Sequence, residues 1–283
     1  MLSPVTTGLA LACFSALTTS LAHALLKSGG DKLAVQAWVR LTELSLALPL
    51  ALIVGWPPAS LWPWLLAAGL IHVSYQYVLT WSYRLSDFTL AFPIARGVTP
   101  LISALGALLF LGDRLRPIAL AGVALVSFGL ISFARGSGIS RRGIALAAFT
   151  GLLTCGYTLV DAKGMRASPD MFTFLVWFFV IDGLGMPSLL LIRDRSRAFA
   201  SLRPELRTGV LAGIMALLSF VPALIAFRLA PVGAVAAIRE GSVIIGLALG
   251  AKLLKEELDR KRVIGGFLVT IGAALIVSAT ASS

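Results

Sequence analysis

Charge is scarce in this chain. Only 13% of its 283 residues are charged and 58% are hydrophobic, whereas a soluble domain carries about a quarter charged residues. With a mean hydropathy of +0.93, disorder, collagen-like structure and most cytosolic enzymes are excluded, and a polytopic membrane protein is the class to test. Cysteine is scarcer still. Cys13 and Cys155 each sit inside an apolar run, with no CxxC or Cys/His grouping, so a disulfide scaffold and a metal centre are excluded and both read as small core residues. There is no HExxH, no Walker loop, no GxSxG and no loop longer than about 20 residues. Enzyme activity, a cofactor and a nucleotide-driven pump therefore find no support.

What the chain has in quantity is apolar sequence. Runs bounded by charge, Gly or Pro predict ten helices at about 4–26, 33–54, 61–83, 87–111, 116–134, 143–162, 171–192, 206–228, 231–254 and 262–280, each near the ~20 residues that cross a bilayer. The first run lacks a basic segment before it and reads as a retained span rather than a removable leader.

The runs repeat. Gly8-Leu9-Ala10-Leu11-Ala12-Cys13-Phe14-Ser15 matches Gly143-Ile144-Ala145-Leu146-Ala147-Ala148-Phe149-Thr150, continuing to Thr19 and Thr154. Leu111-Gly112-Asp113-Arg114-Leu115 matches Leu254-Lys255-Glu256-Glu257-Leu258, followed in register by Gly122 with Gly265 and Gly129 with Gly272. Residues 1–137 and 138–283 are thus expected to be two five-helix repeats. Five is odd, so the second repeat enters the membrane from the opposite side, an inverted repeat of the kind common in secondary transporters. The expected fold is an all-α polytopic membrane protein with ten transmembrane helices arranged as two inverted five-helix repeats.

The net charge of +11 does not point to nucleic acid, because the basic residues are dispersed between apolar runs. One set of alternate loops holds sixteen Lys and Arg and the other set five. The positive-inside rule makes the rich set cytoplasmic and places both termini outside.

Ionised groups inside a membrane helix cost about 2.5–3.5 kcal/mol each and demand a partner, a wet cavity or a function. Glu43 and Asp182 match in the repeat, in step with Asp31 and Asp170 and with Trp38 and Trp177, while Arg96 matches Arg239. Arg40 and Glu240 face Phe179 and Gly97 and have no charged equivalent. In one reading Glu43 and Asp182 neutralise Arg96 and Arg239 as structural pairs. In the other the arginines line a cavity and hold an anionic group by paired hydrogen bonds, with Glu43, Asp182 or Glu240 facing an amine or carrying a proton. Pro93 and Pro100 around Arg96 and Gly97, and Gly233 and Gly241 around Arg239 and Glu240, are sites where the helix can open.

A substrate is not two-fold symmetric, so asymmetric polar residues are specificity candidates. His72 lies among Tyr75, Gln76, Tyr77, Thr80 and Trp81; a neutral histidine bonded to a carbonyl is the plainer reading of it and of His23. The substrate-binding candidates are Arg96, Arg239, Glu240, His72, Tyr75, Gln76, Trp38 and Trp177, and the proton-coupling candidates are Glu43 and Asp182. Trp56, Trp62 and Trp64 read as interfacial anchors. Gly122 and Gly129, with Gly265, Gly266 and Gly272, fit a homodimer seam or packing within one chain.

The repeat architecture, with the Leu111–Leu115 and Leu254–Leu258 loops each followed by a Gly-rich helix, resembles the EamA family of the drug/metabolite transporter superfamily over essentially the whole chain. The family's usual Gly-Glu stands here as Gly112-Asp113 and, with the glycine lost, Lys255-Glu256. The resemblance implies a carrier of small metabolites, often an exporter of amino acids, in the cell inner membrane, with a central cavity between the halves; its members are commonly drawn with both termini cytoplasmic. The expected function is gradient-driven transport of a small zwitterionic or anionic metabolite, the alternative being export of cationic compounds. The expected partners are the substrate and the lipid bilayer.

Overall fold

A computed structural model describes residues 3–85, 91–92, 95–96, 99–132, 141–253, 255 and 260–281. Every regular element among them is helical. The helices are α1 (Pro4–Ser28), α2 (Lys32–Val54), α3 (Trp62–Leu85), α4 (Thr99–Gly106), α5 (Pro117–Ser132), α6 (Arg141–Ala167), α7 (Met171–Asp194), α8 (Ala198–Leu202), α9 (Leu206–Leu229), α10 (Val232–Arg239), α11 (Ser242–Leu253) and α12 (Arg260–Ala281).

Local chemistry sets the ends. Ser3 caps α1, its Oγ accepting the Thr6 N–H at 3.1 Å, and Pro4 follows where its missing N–H costs nothing. Asp31 caps α2, its carboxylate accepting from the Leu33 and Ala34 N–H groups at 3.0 and 3.3 Å. Asp170 caps α7 the same way, accepting from Phe172 and Thr173, both at 2.8 Å. The helix after α4 widens to a π turn over Ala107–Leu111, and Gly112 stops it at φ +71°, a left-handed turn that glycine adopts without strain. Lys255, its repeat match, has φ +56°, where a Cβ is strained.

Four packed pairs build the body: α1 on α9, α3 on α6, α2 on α7 and α5 on α12. In the α5–α12 pair a Cβ added at Gly122 would stand 2.7 Å from the Gly272 carbonyl oxygen, and one at Gly272 would stand 2.7 Å from that of Gly122. The glycine stripes are therefore spent inside the chain, where close backbone approach replaces hydrophobic burial.

The distribution of polarity is inverted relative to a soluble protein. Leu52 is 85% exposed, Ile53 80% and Phe267 66%, while Glu43, Asp161 and Asp182 are fully buried. Five helical stretches among the described residues are long and apolar enough to cross a membrane: Pro4–Ser28, Lys32–Val54, Ala145–Ala167, Met171–Leu229 and Val232–Lys252. α3 falls short of that apolarity because His72, Gln76 and Thr80 lie buried along it.

Two expectations change. The run at 231–254 is not one helix: it breaks between α10 and α11 at Glu240 and Gly241, where the Gly241 N–H turns back to the Ile238 carbonyl at 2.9 Å. Cys155 is buried, but Cys13 is exposed, a small residue on the outer apolar face and not in the core. Pro93, Gly97 and most of the Leu254–Leu258 loop lie outside the described residues.

Candidate functional site

A cavity of about 80 Å3 lies within the bundle, bordered by α1, α2, α3, α6, α9 and α10 and by Arg96. Its volume suits several waters or part of a small solute. Its walls are apolar at Leu26, Val39 and Leu79, aromatic at Tyr75, Tyr157 and Phe220, and charged at Arg40, Glu43, Arg96 and Arg239.

Three charge groupings surround this space. In the first, the Arg40 guanidinium pairs with two carboxylates: Asp182, which it hydrogen-bonds, and Glu43 at 2.6 Å. Asp182 also accepts from the Gln76 amide at 2.8 and 3.1 Å, whereas neither Glu43 oxygen has a hydrogen-bond partner among the described residues. In the second, Arg96 pairs with Glu240 at 3.1 Å. In the third, His72 Nε2 meets the Asp161 carboxylate at 2.9 Å, with the imidazole 4.2 Å from the Tyr157 ring between centroids.

Arg239 belongs to none of the three. Among the described residues no carboxylate lies within ion-pair distance of it. Its Nε donates to Ser15 Oγ at 3.0 Å, and its guanidinium lies over Phe220 and Phe227 at 5.6 and 6.0 Å. Ser15 is tied in turn to Ser219, which lies 2.5 Å from the Thr19 hydroxyl. Hydroxyls and aromatic faces hold this arginine in place without neutralising it. Beyond the break that follows it, the Ser242 carbonyl accepts from the Ser20 hydroxyl at 2.5 Å.

The expected pairing of Glu43 and Asp182 with Arg96 and Arg239 is corrected. Both acids are served by Arg40, and Arg96 takes Glu240. The two charges without repeat equivalents, Arg40 and Glu240, are thus the partners of the symmetric ones. Arg96, Arg239, His72, Tyr75 and Gln76 line the cavity together with Glu43, while Glu240 and Asp182 stand behind it. Trp38 and Trp177 do not line it, contrary to expectation. The Trp38 indole donates to the Leu202 carbonyl at 2.9 Å and that of Trp177 to the Gly55 carbonyl at 2.7 Å, and Trp177 stacks on Trp56 at 4.8 Å. Both indoles tie helices to connecting segments. His23 bonds the Tyr83 hydroxyl at 2.9 Å and His72 a carboxylate, so neither takes the carbonyl partner expected of it.

Asp161 escaped the sequence reading because it sits at the edge of a predicted span, two residues from Lys163. A signal was present: Thr150, Thr154, Thr158 and Asp161 recur at helical spacing and are all buried, a polar stripe along a membrane helix.

Residues 141–278 match the model of the EamA-like transporter family. A solved crystal structure superposes with a TM-score of 0.73 over 99% of this chain and 99% of its own at 16% identity, a likeness that carries the fold alone. No curated protein matches the sequence.

Proposed function

We propose, from the EamA-like match over residues 141–278, that the chain is a secondary active transporter of a small zwitterionic or anionic metabolite across the cytoplasmic membrane. The carrying observation is Arg239, a buried cation on the cavity wall that faces hydroxyls and aromatic rings in place of a carboxylate. A buried charge left without a counter-charge is costly, and a substrate carboxylate or phosphate arriving in the cavity supplies one through paired hydrogen bonds. Arg96, already neutralised by Glu240, orients the anion from the other side. Glu43, on the cavity wall and paired with Arg40 at 2.6 Å, receives the amine of a zwitterion.

Two inverted five-helix repeats, residues 1–137 and 138–283, fit this reading. The pairing of α1 with α9 has its counterpart in that of α6 with α3, and α2–α7 and α5–α12 are pairs of repeat equivalents. The helix break beside Arg239 fits a midplane site. Alternating access then consists of rocking the halves about the cavity, and the loop charges favour outward termini. A cysteine appended after Ser282 that an impermeant maleimide labels in intact cells supports that orientation, and protection overturns it.

Export of cationic compounds is the rival, favoured by a buried carboxylate, Glu43, on the cavity wall. It is weakened because Arg40 lies 2.6 Å from that carboxylate. A counterflow screen in proteoliposomes decides between them. Exchange of amino acids or short dicarboxylates that fails in Arg239→Ala supports the anion reading, and exchange confined to cationic dyes and lost in Glu43→Gln overturns it.

A further inference from the structure

Four buried carboxylates, Glu43, Asp161, Asp182 and Glu240, surround a cavity lined by three arginines, the buried Arg96 and Arg239 and the partly buried Arg40. Three of these acids sit against permanent cations, because an arginine keeps its proton in a protein. Asp161 does not. Its ionic partner is His72 at 2.9 Å, and its second oxygen has no hydrogen-bond partner among the described residues. When His72 is neutral, Asp161 is a buried charge with no cation in contact among the described residues. When the pair takes up one proton, as imidazolium beside carboxylate or as imidazole beside carboxylic acid, the local charge is balanced. The four acids, three arginines and one such proton also sum to zero, so the cavity as a whole is neutral with that proton bound.

We infer that the His72–Asp161 pair is the proton-binding site of this carrier, in place of Glu43 and Asp182, and that an anion held by Arg239 and a proton held by the pair bind together. The inference rests on the transport reading above. His72 lines the cavity, so a proton from solution reaches its ring through the same space as the solute. The step makes one N–H or O–H bond at the pair, taken from water on one side of the membrane and returned on the other. The titratable and charged groups facing the pair are Tyr75 from α3, Tyr157 from α6, Asp182 from α7 and Arg239 from α10, with Arg96 and Glu240 next beyond, around Tyr157; α9 contributes the uncharged Phe220.

Phe220 joins the two sites. Its ring centroid lies 5.2 Å from that of His72 and 5.6 Å from the Arg239 guanidinium carbon, so one aromatic ring separates proton site and anion site. An anion on Arg239 cancels the positive charge that otherwise opposes protonation across that ring. Linkage makes the effect reciprocal, so the proton also tightens anion binding. Histidine suits the role because its ordinary range spans neutral pH.

Asp161→Asn is the discriminating variant, since Asn keeps a hydrogen-bond partner for His72 and the residue stands behind the cavity wall. Wild-type and variant proteoliposomes are given radiolabelled amino acids and short dicarboxylates singly, first in counterflow without a pH gradient and then under an imposed gradient. The wild type is expected to accumulate the exchanged solute up to about tenfold per pH unit, the limit for one proton per solute. The variant, lacking the proton that tightens anion binding, is expected to exchange it in counterflow with weakened apparent affinity and not to accumulate it under the gradient. Equal accumulation by both proteins overturns the proton site while leaving the carrier standing; no counterflow by the wild type overturns the carrier. A second measurement needs no substrate. With only two histidines in the chain, NMR of isotopically labelled histidine, assigned with His23→Gln, reads the His72 ring directly. Its ring nitrogen signals are expected to change with pH in the wild type and not in Asp161→Asn. A wild-type spectrum that matches that of the variant at every pH overturns the inference.

Discussion

Arg96 and Arg239 hold matched places in the two halves of the sequence, yet one is neutralised and the other is not. Arg96 points at Glu240, a residue the second half carries where the first has Gly97. Arg239 meets Ser15 and two phenylalanine rings. A repeat thus supplies two copies of a charge, and a single unmatched carboxylate pairs one copy and leaves the other, among the described residues, without an acid in contact.

The sharpest way to break this comparison is to truncate each arginine. Arg239→Ala is expected to weaken substrate affinity about 10- to 150-fold, the equivalent of roughly 1.5–3 kcal/mol for hydrogen bonds to a charged group, with folded yield retained. Arg96→Ala is expected to lower yield by stranding Glu240, and Glu240→Gln added to it restores yield. Counterflow and monodisperse yield after detergent extraction read the two effects. If both variants keep transport and lose yield, Arg239 is structural as well.

Arg40 has Phe179 as its repeat match, so no second cation takes its place. Arg40→Ala leaves Glu43 and Asp182 together without a guanidinium, at a cost of about 3–5 kcal/mol, seen as early thermal unfolding, and Phe179→Leu does far less. In the α5–α12 pair, Gly122→Ala pushes a methyl group to 2.7 Å from the Gly272 carbonyl, which costs about 1–3 kcal/mol. Gly266→Ala meets nothing nearer than Ile244 at 3.7 Å and is tolerated.

The two helix caps sharpen the comparison through pH. Burial alone pushes the Asp31 carboxyl up, but the Arg193 side chain and the Ala34 and Leu33 N–H groups outweigh it and hold it below the usual carboxylate range. Its contribution is complete at neutral pH. It begins to go near pH 4, where the unfolded carboxyl takes a proton, and is lost as pH falls through the lowered folded value. The Thr173 hydroxyl and the Thr173 and Phe172 N–H groups likewise lower Asp170. Acid melts of Asp31→Ala are expected to flatten relative to wild type, with about 1 kcal/mol lost at pH 7. The smallest effect is a gain: Lys255→Gly relaxes the φ of +56° and stabilises by about 0.4–1 kcal/mol, read by thermal unfolding.

Much of the architecture was legible because membrane helices announce themselves by apolar length. Predicted runs at 33–54 and 206–228 meet α2 at Lys32–Val54 and α9 at Leu206–Leu229. The caps Asp31 and Asp170 and the stop at Gly112 were also written locally, in residues that act on their own backbone. The site was legible by type but not by partner. That Glu43, Arg96, Asp182 and Arg239 needed counter-charges followed from the cost of burying them. Which charge met which did not follow, since Arg40 reaches Asp182 across the α2–α7 contact and His72 reaches Asp161 across the α3–α6 contact. Trp38 and Trp177 misled for the same reason: an indole reads alike in sequence whether its N–H faces a cavity or the carbonyl of a distant loop.

Composition and spacing by themselves determined an all-helical chain with an apolar exterior, a doubled pattern, and ionisable groups set where each must be answered. The tertiary structure alone decided who answers, pairing Arg96 with Glu240, giving Arg40 two acids, setting His72 against Asp161 and leaving Arg239 among hydroxyls and rings. The physical reason is range. Hydrophobicity and capping act within a helix turn and can be read along the chain, whereas an ion pair forms over about 3 Å between helices whose packing brings together residues far apart in sequence.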